Sequence, residues 1–505
     1  LLSTSASAQA AGDLLALSQY NYSFSTARSA ALGGAFTSLG ADLSSMSINP
    51  AGLGMYMSSD FGISPSLTWN NMQSTYLGTK SDYSRTRFTL GNLGMAFNLY
   101  QGSGTLTSFT LGVGYSKLAD FNTTSAAYGQ GIDKSITDVL AEYMNGVPLS
   151  SLGHPDNDPY QPFRRADVGL WGGILAYQTG ILDPMSDAQD NKQYTVANNL
   201  ATGSRINPSM RNVNKGSIDE YSISGGFNIQ NILYLGFTIG IQDILYRNDN
   251  YYAETYDNNP LPLNGMNYIR SLHLDGTGVN FKFGAVVRPV ENLRIGVAVH
   301  TPTLVSINEE YIEWMSADYK NTARGELLDS PRSLNEYDIN TPTRLLTGIS
   351  YTLPGVGLIT ADYERVWYNR MKLRNMGTEN WDFQQTINNE VSSFYQPANN
   401  FRVGIEATPA QNFYIRAGYA NYGECIATRD AFNNMSSINS YENYSAGLGF
   451  RFQNMYVDLA YIYTEYKYAP YTMFYYGDPD YVVNPGNVET KQSRNTITMS
   501  VGVRF

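Results

Sequence analysis

A transmembrane antiparallel β-barrel of about fourteen strands is the fold class this sequence predicts. Three observations carry that reading. Across 505 residues glycine (46) and tyrosine (40) are abundant, while charged side chains make up only 15%, against about a quarter in soluble domains. Short segments alternate apolar and polar residues with period two, the pattern of strands that turn one side to lipid and the other to a lumen. No apolar run reaches the ~18–20 residues of a membrane-crossing helix. The 13% of aromatics also argues against disorder, which goes with few aromatics.

From the N-terminus, Ala8-Gln9-Ala10 has the small-x-small form of a signal-peptidase site, so residues 1–10 read as the remnant of an export signal. Residues 11–59 precede the first strand and are too many for a tail. Ala27 to Leu39 is rich in small residues and Ile48 to Gly54 is a turn cluster, so this stretch reads as a plug in the lumen. The barrel then fills 60–505. Its strands fall at 60–69, 85–99, 105–117, 218–229, 232–246, 276–288, 293–302, 343–352, 357–368, 400–408, 412–421, 441–452, 455–467 and 495–505. The alternation is plain in Leu233, Leu235, Phe237, Ile239 and Ile241, and the last strand ends on the aromatic Phe505. Short turns such as Gln230-Asn231 and Gln453-Asn454 alternate with long connections, as periplasmic turns alternate with outer loops. The longest connection, 118–217, is a large outer insertion in which Ile136, Val139, Leu140 and Tyr143 have helical spacing. In the second strand the apolar parity flips between Leu90 and Leu93. A β-bulge at Gly91, Asn92 and Gly94 would restore it; two separate short strands are the alternative.

With these segments in hand, the chain resembles the long-chain fatty-acid transporter family of outer-membrane proteins, the FadL/TodX type. Ala27 to Phe36 followed by Asn49, Pro50, Ala51, Gly52 and Leu53 resembles the family's hatch and its Asn-Pro-Ala motif. Gly276 to Gly284 with Arg288-Pro289, Leu293 to Ala298 and Thr301-Pro302 resembles its central hairpin, and Tyr444 to Phe450 with Phe505 its late strands. The resemblance implies a Gram-negative outer-membrane barrel with a hatch, binding a hydrophobic small molecule and releasing it sideways into outer-membrane lipid. In the family the exit strand is the third. Here Phe109, Leu111, Val113 and Tyr115 keep unbroken phase and the flip lies in the second strand.

Other chemistry has little foothold. The net charge of −11 gives no support to nucleic-acid binding, and the lone Cys425 can form no internal disulfide. His154, His273 and His300 sit in no nucleophile motif, so no enzyme activity, cofactor or metal is expected. Arg288, Arg294, Arg402, Glu406, Arg416, Arg451, Asp458 and Arg504 share the parity opposite the lipid face. They should point inward, either as a charged seat for the hatch or as structural ion pairs of a wet lumen. Two functions follow: transport of a hydrophobic, fatty-acid-like compound, or a non-transporting subunit of a secretion or barrel-assembly machine. Family members of the second kind serve in type IX secretion. In that role the Tyr-, Asn- and Asp-rich outer loops would contact other outer-membrane proteins or surface lipoproteins.

Overall fold

The computed structural model describes residues 11–152, 158–320, 326–377, 380–427, 437–478 and 481–505. The expected signal remnant at 1–10 and His154 lie outside the described residues. Fourteen antiparallel strands close on themselves. They are β1 Asp60–Tyr76, β2 Thr79–Gln101, β3 Leu106–Asp120, β4 Arg205–Ile229, β5 Leu233–Asp257, β6 Leu263–Val290 and β7 Leu293–His300. The circuit continues with β8 Arg344–Leu353, β9 Gly357–Trp367, β10 Pro397–Ala410, β11 Phe413–Tyr422, β12 Ile438–Phe452, β13 Met455–Tyr468 and β14 Asn487–Arg504. Pairing of β14 with β1, from Asp60↔Arg504 to Tyr76↔Val488, closes the wall. Each sequence-derived strand overlaps one of these.

The outward face carries the lipid belt. On β12 it runs Phe452, Phe450, Leu448, Ala446 and Tyr444, and on β5 it runs Leu235, Phe237, Ile239 and Ile241. Aromatic pairs rim the belt: Phe413–Phe450 and Phe109–Phe227 near the short turns, Tyr419–Tyr444 and Tyr115–Tyr221 at the other end. Girdles of this kind mark the two interfaces of a membrane barrel. No helix among the described residues is long and apolar enough to cross a membrane. The short turns obey backbone chemistry: Gln230 and Asn231 both have positive φ (54° and 58°), the primed geometry that matches strand twist.

Several stretches expected as loops are strand instead. Residues 70–84 continue β1 and β2 to a tight Leu77-Gly78 turn, and 247–275 continue β5 and β6. Above the belt no lipid selects an apolar parity, so Tyr, Asn and Asp occupy both faces and the alternation that marks strands fades. The expected insertion at 118–217 shrinks to 121–204, because β3 runs on to Asp120 and β4 starts at Arg205. From Asp243 to Asp257, β5 rises roughly 45 Å along its axis past the belt. Leu304–Tyr319 pairs with the upper part of β6 and Ser333–Asn340 with Leu304–Tyr319, which widens this raised sheet. Helices Ile136–Met144 and Trp171–Gln178 pack on its inner side and form a dome. The first is held by a capping box, Ser135 with Asp138, and by Glu254, which accepts from Ser135 Oγ (2.5 Å) and the Ile136 N–H (2.8 Å).

Candidate functional site

The span 11–59 is divided. Leu14, Leu15 and Leu17 join the dome core, and Tyr395 OH donates to Ala11 O (2.8 Å). From Phe24 to Tyr56 the chain lies inside the barrel with almost every side chain buried. Helix Ala27–Ala31 is capped by Thr26 and rests on Ala460 and Ile462 of β13. Asn49 caps the 3-10 helix Pro50–Met55: its Oδ1 accepts from the Ala51 N–H (3.1 Å), and its Nδ2 donates to Thr37 O (2.6 Å). Proline at the first helical position loses no needed donor. Gly52 and Leu53 follow inside this turn, fully buried. The wall gives way to it at glycines. A Cβ on Gly284 would stand 1.8 Å from Asn49 Oδ1, and one on Gly236 would stand 2.2 Å from the Pro50 carbonyl carbon, so only hydrogen fits at either place.

Charges hold the rest. Arg402 is fully buried beside Glu364 (3.3 Å) and Asp362 (4.0 Å), and Asp362 accepts from Thr37 N (2.8 Å) and Oγ1 (2.6 Å). Arg416 bridges Glu406 and Asp458, both at 2.6 Å; Arg28 joins at Glu406 (3.5 Å) and Arg451 at Asp458 (3.0 Å). Arg504 reaches Ala41 O (3.0 Å) and lies 3.8 Å from Asp60. Arg288 and Arg294 are different. Arg288 turns back on its own hairpin, donating to Glu291 O (2.8 Å), and Arg294 beside it makes no ion pair among the described residues. Both sit at the short turns and contribute nothing visible to the seating of the inner segment. His300 lies at the end of β7 with Nε2 2.9 Å from Ile48 O, and His273 lies within β6.

Above this packing is a cavity of about 230 Å³. Asp13 and Tyr20 from the N-terminal segment, Met72, Ala119, Tyr246, Arg270, Tyr441, Tyr466 and Arg494 are among its lining residues. A larger, open space of about 810 Å³ lies at the outer rim around Thr79, Arg205 and Asn258. Through Ala119, Asp120 and Phe121 the inner cavity borders the β3 side of a seam in the wall. The ladder between β2 and β3 runs from Gln101↔Ser108 to Asn92↔Ser116 and ends there. Above it β2 continues against β1, and β3 continues against β4. At the foot of the seam the β1–β2 register jumps from Ser64↔Asn92 to Pro65↔Leu90, leaving Gly91 unpaired on β2, while Gly94 stays in register. At its top Ser81 Oγ bonds Ala126 O, and Tyr83 meets Tyr128 (3.0 Å). From inside, the chain from Tyr20 to Phe24 runs behind the seam: Asn21 N donates to Leu118 O (2.8 Å), and a Cβ on Gly91 would meet Phe24 O at 2.6 Å.

The phase flip at Gly91 was the one signal of the seam in the sequence. Nothing there singled out Arg494, one polar residue in the inward row Thr490, Gln492, Arg494, Thr496, Thr498 of β14. Among the described residues no group of three or more His, Cys, Asp or Glu is placed to hold a metal ion, and Cys425 is a buried free thiol.

No protein-family model matches the chain, and no curated protein sequence does. Solved structures do match in shape. The toluene transporter TodX of Pseudomonas putida superimposes with a TM-score of 0.53 at 12% identity, covering 97% of this chain and 99% of that one. A Pseudomonas aeruginosa FadL homologue gives 0.53 at 12%, covering 96% and 98%. Strand count and closure agree with that likeness: the chain has the fold of the FadL/TodX-type outer-membrane barrels.

Proposed function

We propose that the protein is an outer-membrane channel that takes up hydrophobic compounds, of fatty-acid-like or similar amphiphilic character, and releases them sideways into the lipid. The observation that carries this reading is that Ala119, Asp120 and Phe121, where β3 has left its ladder with β2, line the cavity. Below the cavity, residues 24–56 fill the lumen and act as a hatch. A ligand leaving the cavity therefore meets less obstruction toward the seam than toward the short turns. Phe88, 71% exposed on β2, and Leu90 stand where that path would reach lipid. Burial drives the passage at about 25 cal/mol per Å² of apolar surface, and the chain from Tyr20 to Phe24 is the element that must yield. The outer-membrane placement follows from the lipid belt together with this fold, whose named examples are a toluene transporter and a FadL homologue.

Gly91→Val tests the route. Its Cβ presses on the Phe24 carbonyl oxygen (2.6 Å), whereas that of Gly94→Ala lies 3.0 Å from the flexible end of Met46 and 3.1 Å from Val113 O, away from the Tyr20–Phe24 chain. Uptake of labelled fatty acid should fall in the first variant and stay near wild type in the second, with both folding. Equal uptake in the two would remove the seam from the path. A second reading, a subunit of an envelope machine, draws on one feature. The dome is packed with side chains, and the cavity is smaller than the ~300–1,000 Å³ usual for ligand pockets. Absence of saturable binding, together with stoichiometric recovery of other outer-membrane proteins from native membranes, would favour that reading over transport.

A further inference from the structure

The β2 bank of the seam has two features that no neighbour in the chain completes. Above Asn92 the strand pairs with β1 alone, so the edge turned toward β3 carries backbone donors and acceptors outside any ladder. On the same stretch Arg85 and Arg87 make no hydrogen bond or ion pair to another described residue. Register places both on the inward parity, Arg85 opposite Asn70 and Arg87 opposite Thr68, two buried side chains of β1. Inward arginines elsewhere in the wall, such as Arg344, Arg402 and Arg416, are buried in ion pairs. Arg87 is instead exposed and Arg85 half-buried, as the missing neighbour strand allows. Their height is set by β1, whose outward row is Phe61, Ile63, Pro65, Leu67 and Trp69 and turns polar at Asn71 and Gln73. Arg87 and Arg85 therefore straddle the level of Trp69, where the lipid belt ends. On the opposite bank Lys117 is already neutralised by Asp219 (2.7 Å).

An open strand edge is not tolerated against hydrocarbon, where its N–H and C=O groups lose water, and it persists only where something polar meets it. Two guanidiniums about 7 Å apart along the strand, beside a row of backbone donors, call for clustered acceptor oxygens with negative charge. A phosphate meets that demand: it carries up to about two charges, and its oxygens take parallel bonds from an arginine fork. The surroundings specify the rest of the molecule. Phe88, 71% exposed, follows Arg87 on the outward parity, with Leu67 opposite it and Leu90 next in the row, a surface for acyl chains. We infer that the mouth of the seam holds a phosphate-bearing lipid of the outer leaflet, its head group on Arg85 and Arg87 and its chains over Phe88 and Leu90. This goes beyond the transport reading and does not depend on it, because such a lipid covers the open edge whether or not a compound leaves through the seam. A compound that does leave must displace it.

The test presents the purified full chain in detergent with dioleoyl phosphatidic acid and with dioleoylglycerol, which share their chains and differ by the phosphate. Bound lipid is read by mass spectrometry of the intact folded protein. Charge-assisted bonds to two arginines predict that phosphatidic acid binds at least about tenfold tighter. The double variant Arg85→Gln/Arg87→Gln should bring it down to the level of dioleoylglycerol, while Lys467→Gln, on β13 away from the seam, should keep the wild-type preference. If the double variant does not fold, Arg87→Gln alone should reduce the preference at least about threefold. Millimolar inorganic phosphate should leave the lipid in place. Complete displacement by it would make this a site for free phosphate and overturn the lipid assignment. Equal binding of the two lipids, no binding of either, a preference that survives in the arginine variants, or one that falls as far in Lys467→Gln would each overturn the proposal and leave the channel reading standing.

Discussion

Residues 24–56 meet the lumen wall through four small apolar clusters set among hydrogen bonds and ion pairs, whereas the dome above closes around one continuous apolar core. The first contact is built like an interface and the second like the interior of a soluble domain. Three of the four join only three to five buried side chains, for example Ala51 with Tyr234 and Val286, or Ala27, Ala30 and Ala31 with Ala460 and Ile462 of β13. Between them lie directional contacts such as Thr37 on Asp362 and Asn49 on Thr37. A segment held by separate latches can be loosened locally. A single core yields as a unit or not at all.

The largest expected effect comes from breaking the charge network under the segment. Arg402→Met leaves Asp362 without its arginine and Glu364 with Arg344 alone. Removing one partner of a buried pair costs about 3–5 kcal/mol. The folded form, read by gel migration without boiling, should convert at lower temperature, and conductance in planar bilayers should rise as Thr37 loses its anchor. Unchanged conductance would mean that Asp362 holds the segment without needing Arg402.

The dome should respond differently. Ile174 is fully buried in helix Trp171–Gln178, and Ile174→Ala costs about 2–5 kcal/mol. The loss should appear as faster proteolysis within 121–204 while the barrel converts at its wild-type temperature. A matching fall in the barrel transition would show that the two regions form one cooperative unit.

Asn49→Ala removes the cap of Pro50–Met55 and the bond to Thr37, a change of about 1–2 kcal/mol. Of the latches tested it is the mildest, and it should raise the open probability of single channels with no shift in gel migration. An unchanged opening rate would make the Asn49 turn a folding feature and no part of the latch.

The same contrast explains what could be read from the sequence. Strands were legible wherever lipid selects one parity, as in Leu233 to Ile241 or Ile497 to Phe505, because a lipid-facing charge is costly. The upper halves of β5 and β6 were illegible, since the dome-facing row Tyr252, Glu254 and Tyr256 mixes aromatic with charged and the opposite row Tyr251, Ala253 and Thr255 follows no apolar rule. Helix Ile136–Met144 was legible because its inner face meets an apolar core. Arg402, Glu406 and Arg451 could be placed inside by parity; their partners could not, because each pair joins different strands whose register the sequence does not state. The end of the β2–β3 ladder is a choice of pairing partner, and only the bulge at its foot leaves a mark in one strand.

The smallest effect concerns the edge of the dome and has a defined sign. Helix Trp381–Phe394 carries Glu390, whose Oε2 is buried without a partner among the described residues. Burial raises its carboxyl from 4.5 to about 7. The docked helix therefore holds this proton up to about pH 7, whereas the undocked side chain releases it near 4.5. Between those values the docked state binds more protons, so docking weakens as pH rises and levels off above about 7. The group is partly exposed, which keeps the change small. Proteolysis within 381–394 should run a few-fold faster at pH 8 than at pH 5.5, after correction for the protease's own pH profile. Glu390→Gln, which cannot ionise, should flatten that dependence while the dome core around Ile174 stays protected at both values. A dependence that survives the substitution would assign the titration to another group, and one that spread to 121–204 would join this helix to the cooperative core.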